Sequence, residues 1–214
     1  MIKTGLRFFD KNNGFSENEK VLVEGPTGIG KKMLVYYFIN NWIRKKKNVI
    51  LINADGTDER IRRIFKRYFK TDVLDYPNFI IVNAYETKMD LNTIKKIIKG
   101  IKLKDVVVVF DSLTGYFFNT EKTYLYKRKS KQKEKEAIKQ LINFCKKCRH
   151  LFILIANNDL ISEDALKLLR KNATTIIKMD FEDEKGRLRR KMNLKKGAKK
   201  FDANFLITYL GIKI

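Results

Sequence analysis

Cysteines, long apolar runs and acidic residues are all scarce in this 214-residue sequence. Its two cysteines are too few for a disulfide framework, which excludes a small secreted fold held together by disulfides. No apolar run approaches the roughly 18 residues that a membrane-spanning helix needs. Residues 1–7 contain no apolar segment typical of a secretory signal. These absences predict a soluble, cytoplasmic protein.

Basic residues outnumber acidic ones by 47 to 24, which gives a formal net charge of +23. Such an excess attracts polyanions, so nucleic acid, an acidic protein or acidic lipid is a candidate partner. The alternative is a compositional bias, because the chain is rich in Lys, Ile and Asn, as in heat-adapted organisms with AT-rich genomes. Charge alone does not separate the two explanations.

The two cysteines form a single Cys-x-x-Cys, Cys145 and Cys148, with His150 nearby. A structural zinc site needs about four ligands, and the sequence contains no second pair of cysteines. Cys145 also continues an apolar helical pattern with Ile138 and Leu141. The pattern therefore favours a core position for Cys145 over a metal or redox site.

Unbroken apolar runs alternate with helical patterns along the chain. Strands that are apolar on both faces are typical of a parallel sheet covered by helices on both sides. The part from residue 174 onward predicts three more strands as an antiparallel edge, with a turn at 184–186. The sequence therefore predicts a single α/β domain over 1–214. Its parallel strands are predicted at 21–23, 49–52, 79–82, 106–110 and 151–156.

Local signals place the other elements. Residues 1–19 predict a lead-in loop, and 119–135 an irregular charged segment. Residues with short polar side chains favour helix N-caps at Thr57 or Asp58, at Asp90 and at Ser162. Helices are predicted over 31–46, 57–70, 91–101, 136–149 and 163–171.

A glycine-rich loop joins the first strand to the first long helix, which is the setting of a phosphate-binding P-loop. Its glycines can adopt positive φ and turn backbone N–H groups toward an anion, and the helix N-terminus adds a favourable dipole. The lysine before the helix supplies an ammonium for the β- and γ-phosphates. The predicted nucleotide-binding residues are Gly25, Pro26, Thr27, Gly28, Ile29, Gly30, Lys31, Lys32 and Met33.

Lys32 departs from the P-loop pattern, which has Ser or Thr at this position so that a hydroxyl can bind Mg²⁺. A charged lysine has no lone pair to offer a metal, and its charge repels a divalent cation. The sequence therefore predicts ATP or ADP as ligand and leaves Mg²⁺ binding open. We expect Lys32 either to turn away from the phosphates or to contact them in partial substitution for the metal.

Three polar residues follow the central strands, at the sheet edge where ligands of open α/β folds bind. Asp111 follows the run 106–110 in a Walker B arrangement and is the candidate Mg²⁺ ligand. Asp55, after the second strand, is a candidate base to activate water, with a turn or capping role as the alternative. Asn157, after the fifth strand, is a candidate sensor of the γ-phosphate or a simple turn residue.

In order along the chain, these motifs resemble those of the KaiC-like branch of the RecA-superfamily ATPases, a group common in archaea. The resemblance extends over nearly the whole chain. It implies a RecA-like fold, nucleotide binding, and rings or filaments in which nucleotide lies between subunits. The matching residues are Thr4, Gly5, Asp10 and Gly14, the P-loop, Asp111 to Thr114, and the closing segment 207–214.

Three positions depart from this family pattern. Where the family carries paired glutamates after the second strand, the chain has Ala54 and Asp55. Lys32 replaces the metal-binding hydroxyl. The family's late Lys-x-Arg-Gly run, whose cations reach a neighbouring subunit's γ-phosphate, is replaced here by residues 194–197, Leu-Lys-Lys-Gly. By resemblance, hydrolysis should be slow or absent while nucleotide binding is kept.

Two strongly basic segments, 121–150 and 187–200, are candidate contacts for nucleic acid or an acidic protein. Tyr124 and Tyr126 lie within the first, where aromatic rings could stack on bases. A solvated helix face explains the same charge.

Three functions remain as hypotheses. The first is a nucleotide-gated regulatory or assembly subunit with weak hydrolysis, assembling with itself or with an intact paralogue. The alternatives are a DNA-binding recombinase paralogue and an active ATPase in which Asp55 is the base.

Overall fold

Five apolar strands lie side by side in a parallel arrangement, as the unbroken runs predict. The structure is a computed structural model that describes residues 1–120, 129–184, 187–208 and 211–213. The parallel strands are β1 (Lys20–Gly25), β2 (Val49–Asn53), β3 (Phe79–Asn83), β4 (Val107–Asp111) and β5 (Leu151–Asn157).

Four more strands extend the sheet, one more than predicted. They are β6 (Thr175–Glu184), β7 (Arg187–Lys196), β8 (Lys199–Thr208) and β9 (Gly211–Lys213). β6 pairs with β1 in parallel, and the pairs from β6 to β9 are antiparallel. The complete order is β3-β2-β4-β5-β1-β6-β7-β8-β9, which confirms the predicted mostly parallel sheet with an antiparallel extension. The predicted turn at 184–186 includes residues 185 and 186, which lie outside the described residues.

Helices connect the strands, and side-chain caps fix where several of them begin. Thr57, Asp90 and Ser162 each accept a hydrogen bond from a backbone N–H three residues on, as predicted for N-caps. The helices are α1 (Arg7–Lys11), α2 (Lys31–Arg44), α3 (Asp58–Ile64), α4 (Ala84–Thr87), α5 (Leu91–Gly100), α6 (Leu113–Thr120), α7 (Lys129–Lys147) and α8 (Glu163–Asn172).

Three boundaries differ from the prediction. Residues 1–19 are not only a loop, because they include α1 and a bridge between Ile2 and Phe15. The helix predicted to reach residue 70 changes at Phe65–Phe69 to a wider π-helical turn. The segment 119–135 is not wholly irregular, since α6 and α7 enter it from both ends; residues 121–128, with Tyr124 and Tyr126, lie outside the described residues.

Successive residues of the central strands face opposite sides of the sheet, and each side has its own core. Val21 and Val23 pack on the side of α2 with aromatic residues such as Phe38 and Trp42. Leu22 and its neighbours pack on the other side with apolar residues of α5, α7 and α8. Burial on both faces explains why these strands have no polar alternation. No helix within the described residues has the length and hydropathy to cross a membrane.

Candidate nucleotide-binding site

The loop between β1 and α2 has the backbone geometry of an anion-binding turn. Gly28 and Gly30 have φ angles of +81° and +109°, a region that disfavours residues with a side chain. α2 begins directly after Gly30 and runs for 14 residues, so its unpaired N-terminal N–H groups lie beside the loop. Residues 25–33 therefore form a backbone surface suited to phosphate.

Lys31 is folded back onto this loop. Its Nζ donates to the carbonyl oxygens of Gly25 at 2.8 Å and Pro26 at 2.7 Å. Burial lowers the pKa of Lys31 to about 8, because removing an ammonium from water penalises its charged form. The side chain is thus held within the loop by two neutral carbonyl oxygens.

Lys32 lies between two carboxylates. Its Nζ is 2.7 Å from Asp55 Oδ2 and 3.0 Å from Asp111 Oδ1. Burial by itself would lower the pKa of Lys32, but the charges of Asp111 and Asp55 outweigh it, and the pKa is raised. The hydroxyl of Tyr36 donates to the other oxygen of Asp111, so both oxygens of this buried carboxylate have a partner. Lys32 neither turns away from the site nor leaves the two acids unpaired.

The sheet brings Asp55 and Asp111 together. β2 and β4 are neighbours in register, with Asn53 opposite Asp111, and the backbone N–H of Ala54 donates to the carbonyl oxygen of Asp111 at 2.7 Å. Gly115 in α6 lets the loop approach, since an added Cβ would lie 2.9 Å from Asp55 Cβ. The predicted convergence at the carboxyl edge of the sheet is therefore present for these two acids.

Mg²⁺ does not fit this arrangement. Residue 32 offers an ammonium where the P-loop pattern has a hydroxyl, and that ammonium contacts Asp111, the candidate metal ligand, and Asp55, the candidate base. With an effective dielectric constant of about 20, a divalent cation about 4 Å from an ammonium is repelled by about 8 kcal/mol. A metal could bind only after Lys32 left both carboxylates.

Asn157 and Asp159 lie at the end of β5, beside the P-loop. Asn157 is opposite Gly25 in the sheet, and its backbone N–H donates to Thr114 Oγ1 at 2.9 Å. Asp159 accepts from both the backbone N–H and the hydroxyl of Thr27, at 3.1 and 3.2 Å. Its partial burial would raise the pKa of Asp159, but the bonds from Thr27 outweigh this and lower it. Asp159 thus anchors the exposed tip of the loop.

Comparison with known proteins identifies the family. The family described as "ATPase: KaiC" matches residues 2–214. The chain belongs to the KaiC ATPase family. No curated protein matches the sequence significantly.

Solved structures share the fold of this chain. A KaiC-like protein, PH0186 from Pyrococcus horikoshii, superposes with a TM-score of 0.75 at 20% identity, covering 99% of this chain and 96% of that one. The flagellar accessory protein FlaH from Methanocaldococcus jannaschii gives a TM-score of 0.75 at 17% identity, with coverage of 100% and 98%. At these identities the likeness confirms the RecA-like KaiC fold alone. The family assignment supports nucleotide binding.

Within residues 194–197, which replace the family's Lys-x-Arg-Gly run, Lys196 makes contacts inside the chain. Lys196 Nζ donates to the carbonyl oxygen of Gly14 at 2.7 Å and lies 3.4 Å from Glu19 Oε2. Lys195, its neighbour on β7, is exposed. In this chain Lys196 is therefore occupied by an internal contact, and the arginine of the family pattern has no counterpart at residues 194–197.

A cationic groove extends from Lys32 along α3 and the π-helical turn. Arg67 lies over the ring of Tyr68, with its Cζ 5.5 Å from the ring centroid. The charged and tyrosine residues lining the groove are Lys32, Tyr36, Arg60, Arg63, Lys66, Arg67 and Tyr68. The residues that line it include no acid, which makes it a surface suited to a phosphate-rich ligand.

Cys145 is a core residue, as the helical pattern predicts. It is 3% exposed, and burial raises the pKa of its thiol to about 12. Within the described residues, no cluster of three or more His, Cys, Asp or Glu side chains could hold a metal.

Three residues of this site were missed by the sequence reasoning. Tyr36 lies one helical turn after Lys32, so the i,i+4 spacing could have placed its hydroxyl beside the same carboxylate. Asp159 was visible as the third polar residue after the fifth strand. Gly115 gave no signal, since its need for close approach exists only in the folded structure.

Proposed function

We propose that this protein binds ATP and ADP at residues 25–33, hydrolyses ATP slowly or not at all, and acts as a nucleotide-gated regulatory or assembly subunit. The observation that supports this most directly is the Lys32 ammonium, 2.7 and 3.0 Å from Asp55 and Asp111. These are the two acids that hydrolysis would use, and both are occupied by one cation.

The parts needed to hold phosphate are intact. The loop has its positive-φ glycines, and α2 presents its N-terminus beside them. The hydrogen bonds of Lys31 to Gly25 and Pro26 have neutral carbonyl acceptors, which a negatively charged phosphate can replace as a stronger acceptor. Binding therefore asks Lys31 to exchange these two hydrogen bonds for bonds to phosphate.

The parts needed for hydrolysis are altered. Asp55 must accept a proton from water to act as a base, but its carboxylate is in direct contact with the Lys32 ammonium, 2.7 Å away. Ala54 has no side chain that could take over this role. The alternative of an active ATPase with Asp55 as base requires this ion pair to break in every catalytic cycle.

An assembly role follows from the same arrangement. A subunit that holds nucleotide without consuming it can stabilise an interface for as long as the nucleotide stays bound. The internal contact of Lys196 with Glu19 removes one candidate cation for a neighbour's γ-phosphate. Pairing with an intact paralogue, which brings its own catalytic groups, or self-assembly into a ring are the two forms of this proposal.

Calorimetry with ATP and with ADP, combined with a phosphate-release assay, tests the proposal. We expect both nucleotides to bind, and phosphate release at least about a hundredfold below the lower end of the typical enzyme range of about 1–10³ s⁻¹. Lys31→Ala should abolish binding, whereas Lys45→Ala, an exposed lysine at the far end of α2, should not change it. Failure of both nucleotides to bind would refute the proposal. Turnover within the typical range would refute the regulatory part of it.

The cationic groove favours a second candidate function, binding of single-stranded nucleic acid. Its arginines, lysines and tyrosines form one continuous surface from Lys32 to Tyr68. Basic grooves with aromatic side chains hold the backbone by charge and the bases by stacking.

Salt dependence tests this second function. Affinity for single-stranded DNA should fall steeply with salt, and Lys66→Glu with Arg67→Glu should weaken it at least about tenfold and reduce the log–log salt slope by about 0.7 per lost contact. Lys96→Glu with Lys99→Glu, the same charge change at two exposed lysines of α5, is the control. An affinity that does not vary with salt, or equal effects of the groove and control variants, would exclude the groove as a nucleic-acid site.

A further inference from the structure

Lys32, Asp55 and Asp111 form a compact group beside the P-loop with a formal net charge of −1. Lys32 has one positive charge and three N–H groups, of which two are within reach of Asp55 and Asp111. The third is free to donate to a phosphate oxygen. An ammonium in this position can therefore join the two acids to a bound anion.

Each oxygen of the buried acid of this group already faces a donor of the chain. Asp111 is fully buried, with one carboxylate oxygen facing Lys32 and the other accepting the Tyr36 hydroxyl. A metal ligated by Asp111 would have to displace one of these donors and leave it without its partner, which is costly inside a protein. The chain thus carries a tethered cation where the family pattern uses a diffusible one.

Lys32 adds one positive charge to those that a P-loop already has. Lys31 is the lysine of the P-loop pattern and the helix N-terminus is part of that pattern too, so Lys32 alone stands in for the metal. The cation belongs to the chain, so the ligand does not have to arrive as a metal complex.

We propose that Lys32 replaces Mg²⁺ in this protein, so that the P-loop takes nucleoside di- and triphosphates as metal-free anions. This inference rests on the proposed nucleotide-binding function and specifies that the nucleotide binds without a metal. Mg²⁺ competes with the protein for the nucleotide, because the metal neutralises the phosphate charge that Lys31 and Lys32 recognise and cannot enter between Lys32 and the two acids. Nucleotide occupancy then responds to nucleotide concentration and is not released when the metal is withdrawn.

Calorimetric titration of the full chain with ATP and ADP, each in excess EDTA and in excess Mg²⁺, tests the inference. For the natural protein we expect an affinity in EDTA equal to or higher than that in Mg²⁺. Lys32→Thr restores the hydroxyl and frees both acids, so its affinity should become at least about tenfold higher in Mg²⁺ than in EDTA, which corresponds to about 1.4 kcal/mol. Lys45→Thr, at the exposed end of the same helix, should behave like the natural protein.

The outcomes separate the two levels of the proposal. No binding of either nucleotide in either condition would refute nucleotide binding itself. Binding by the natural protein that is at least about tenfold stronger with Mg²⁺ than with EDTA would keep nucleotide binding and overturn the metal-free inference.

The natural protein decides the question even if Lys32→Thr does not fold. A second variant, Asp55→Asn, keeps Lys32 beside Asp111 and removes one acid, so we expect it to remain independent of metal. Acquired dependence on Mg²⁺ in Asp55→Asn would overturn the assignment of Lys32 as the metal's replacement.

Discussion

The ion pair between Lys32 and Asp111 can be measured through the stability of the fold. Lys32→Met keeps a chain of similar length and removes the charge, which leaves Asp111 buried beside a neutral side chain. Removing one partner of a fully buried ion pair costs about 3–5 kcal/mol. Because the Lys32 side chain is 32% exposed and so partly screened, we expect the lower value of about 2–3 kcal/mol.

Thermal and urea unfolding of the variants would measure this loss. For a chain of this size, a loss of about 2–3 kcal/mol corresponds to a decrease in Tm of about 4–12 °C. Lys191→Met is the matched control, since Lys191 is 3.0 Å from Glu182 but both side chains are largely exposed. We expect the control to change the free energy of unfolding by no more than about 1 kcal/mol.

A double-mutant cycle with Asp111→Asn isolates the pair from other effects of each change. The double variant should be more stable than the sum of the single variants implies, by about 1–3 kcal/mol, because the second change removes the group that the first left unpaired. Additive effects, or a Lys32→Met protein as stable as the natural one, would refute the assignment of Lys32 as partner of the buried acid.

Three further predictions concern the loop and the core beside it. Nucleotide binding above pH 8 should be accompanied by uptake of a proton at Lys31, because the pKa of Lys31 is about 8 in the loop and a bound phosphate raises it. Nucleotide affinity should therefore fall as pH rises through this range. Calorimetry in buffers of different ionisation enthalpy measures the proton uptake. Arg170→Met should lower the free energy of unfolding by about 2–3 kcal/mol in urea titrations, since it leaves the buried Glu24 without its partly screened partner at 2.9 Å. Asp159→Ala should weaken nucleotide binding about three- to tenfold with little change in Tm, because it frees the loop at Thr27; unchanged affinity would show that the anchor is not needed.

The sheet and the helix starts could be predicted because their signals are local. β2 and β4 are runs of apolar residues buried on both faces, which the sequence shows directly. Thr57, Asp90 and Ser162 cap helices through bonds to residues three positions on, so no distant information is needed. The convergence of Asp55 and Asp111 followed from the general position of ligand sites at the carboxyl edge of parallel strands.

The position of Lys32 could not be predicted, because it depends on contacts between distant parts of the chain. The sequence shows that residue 32 is a lysine in place of a hydroxyl residue. That substitution is compatible with a side chain turned away from the site and with one that contacts phosphate. The outcome is fixed by Asp111, 79 positions away, and by the approach of Asp55 that Gly115 permits. α6 was missed for a similar reason, since its sequence has modest helix propensity, whereas in the folded structure Leu113 and Tyr116 are buried in the core.

A crystal structure of the protein with ATP in excess Mn²⁺ tests the central claim most directly, because anomalous scattering locates Mn²⁺ unambiguously. We predict nucleotide phosphates on residues 25–33, the Lys32 ammonium still between Asp55 and Asp111, and no manganese bound to Asp111. A manganese ion on Asp111 with Lys32 displaced, or a P-loop without nucleotide, would contradict the account.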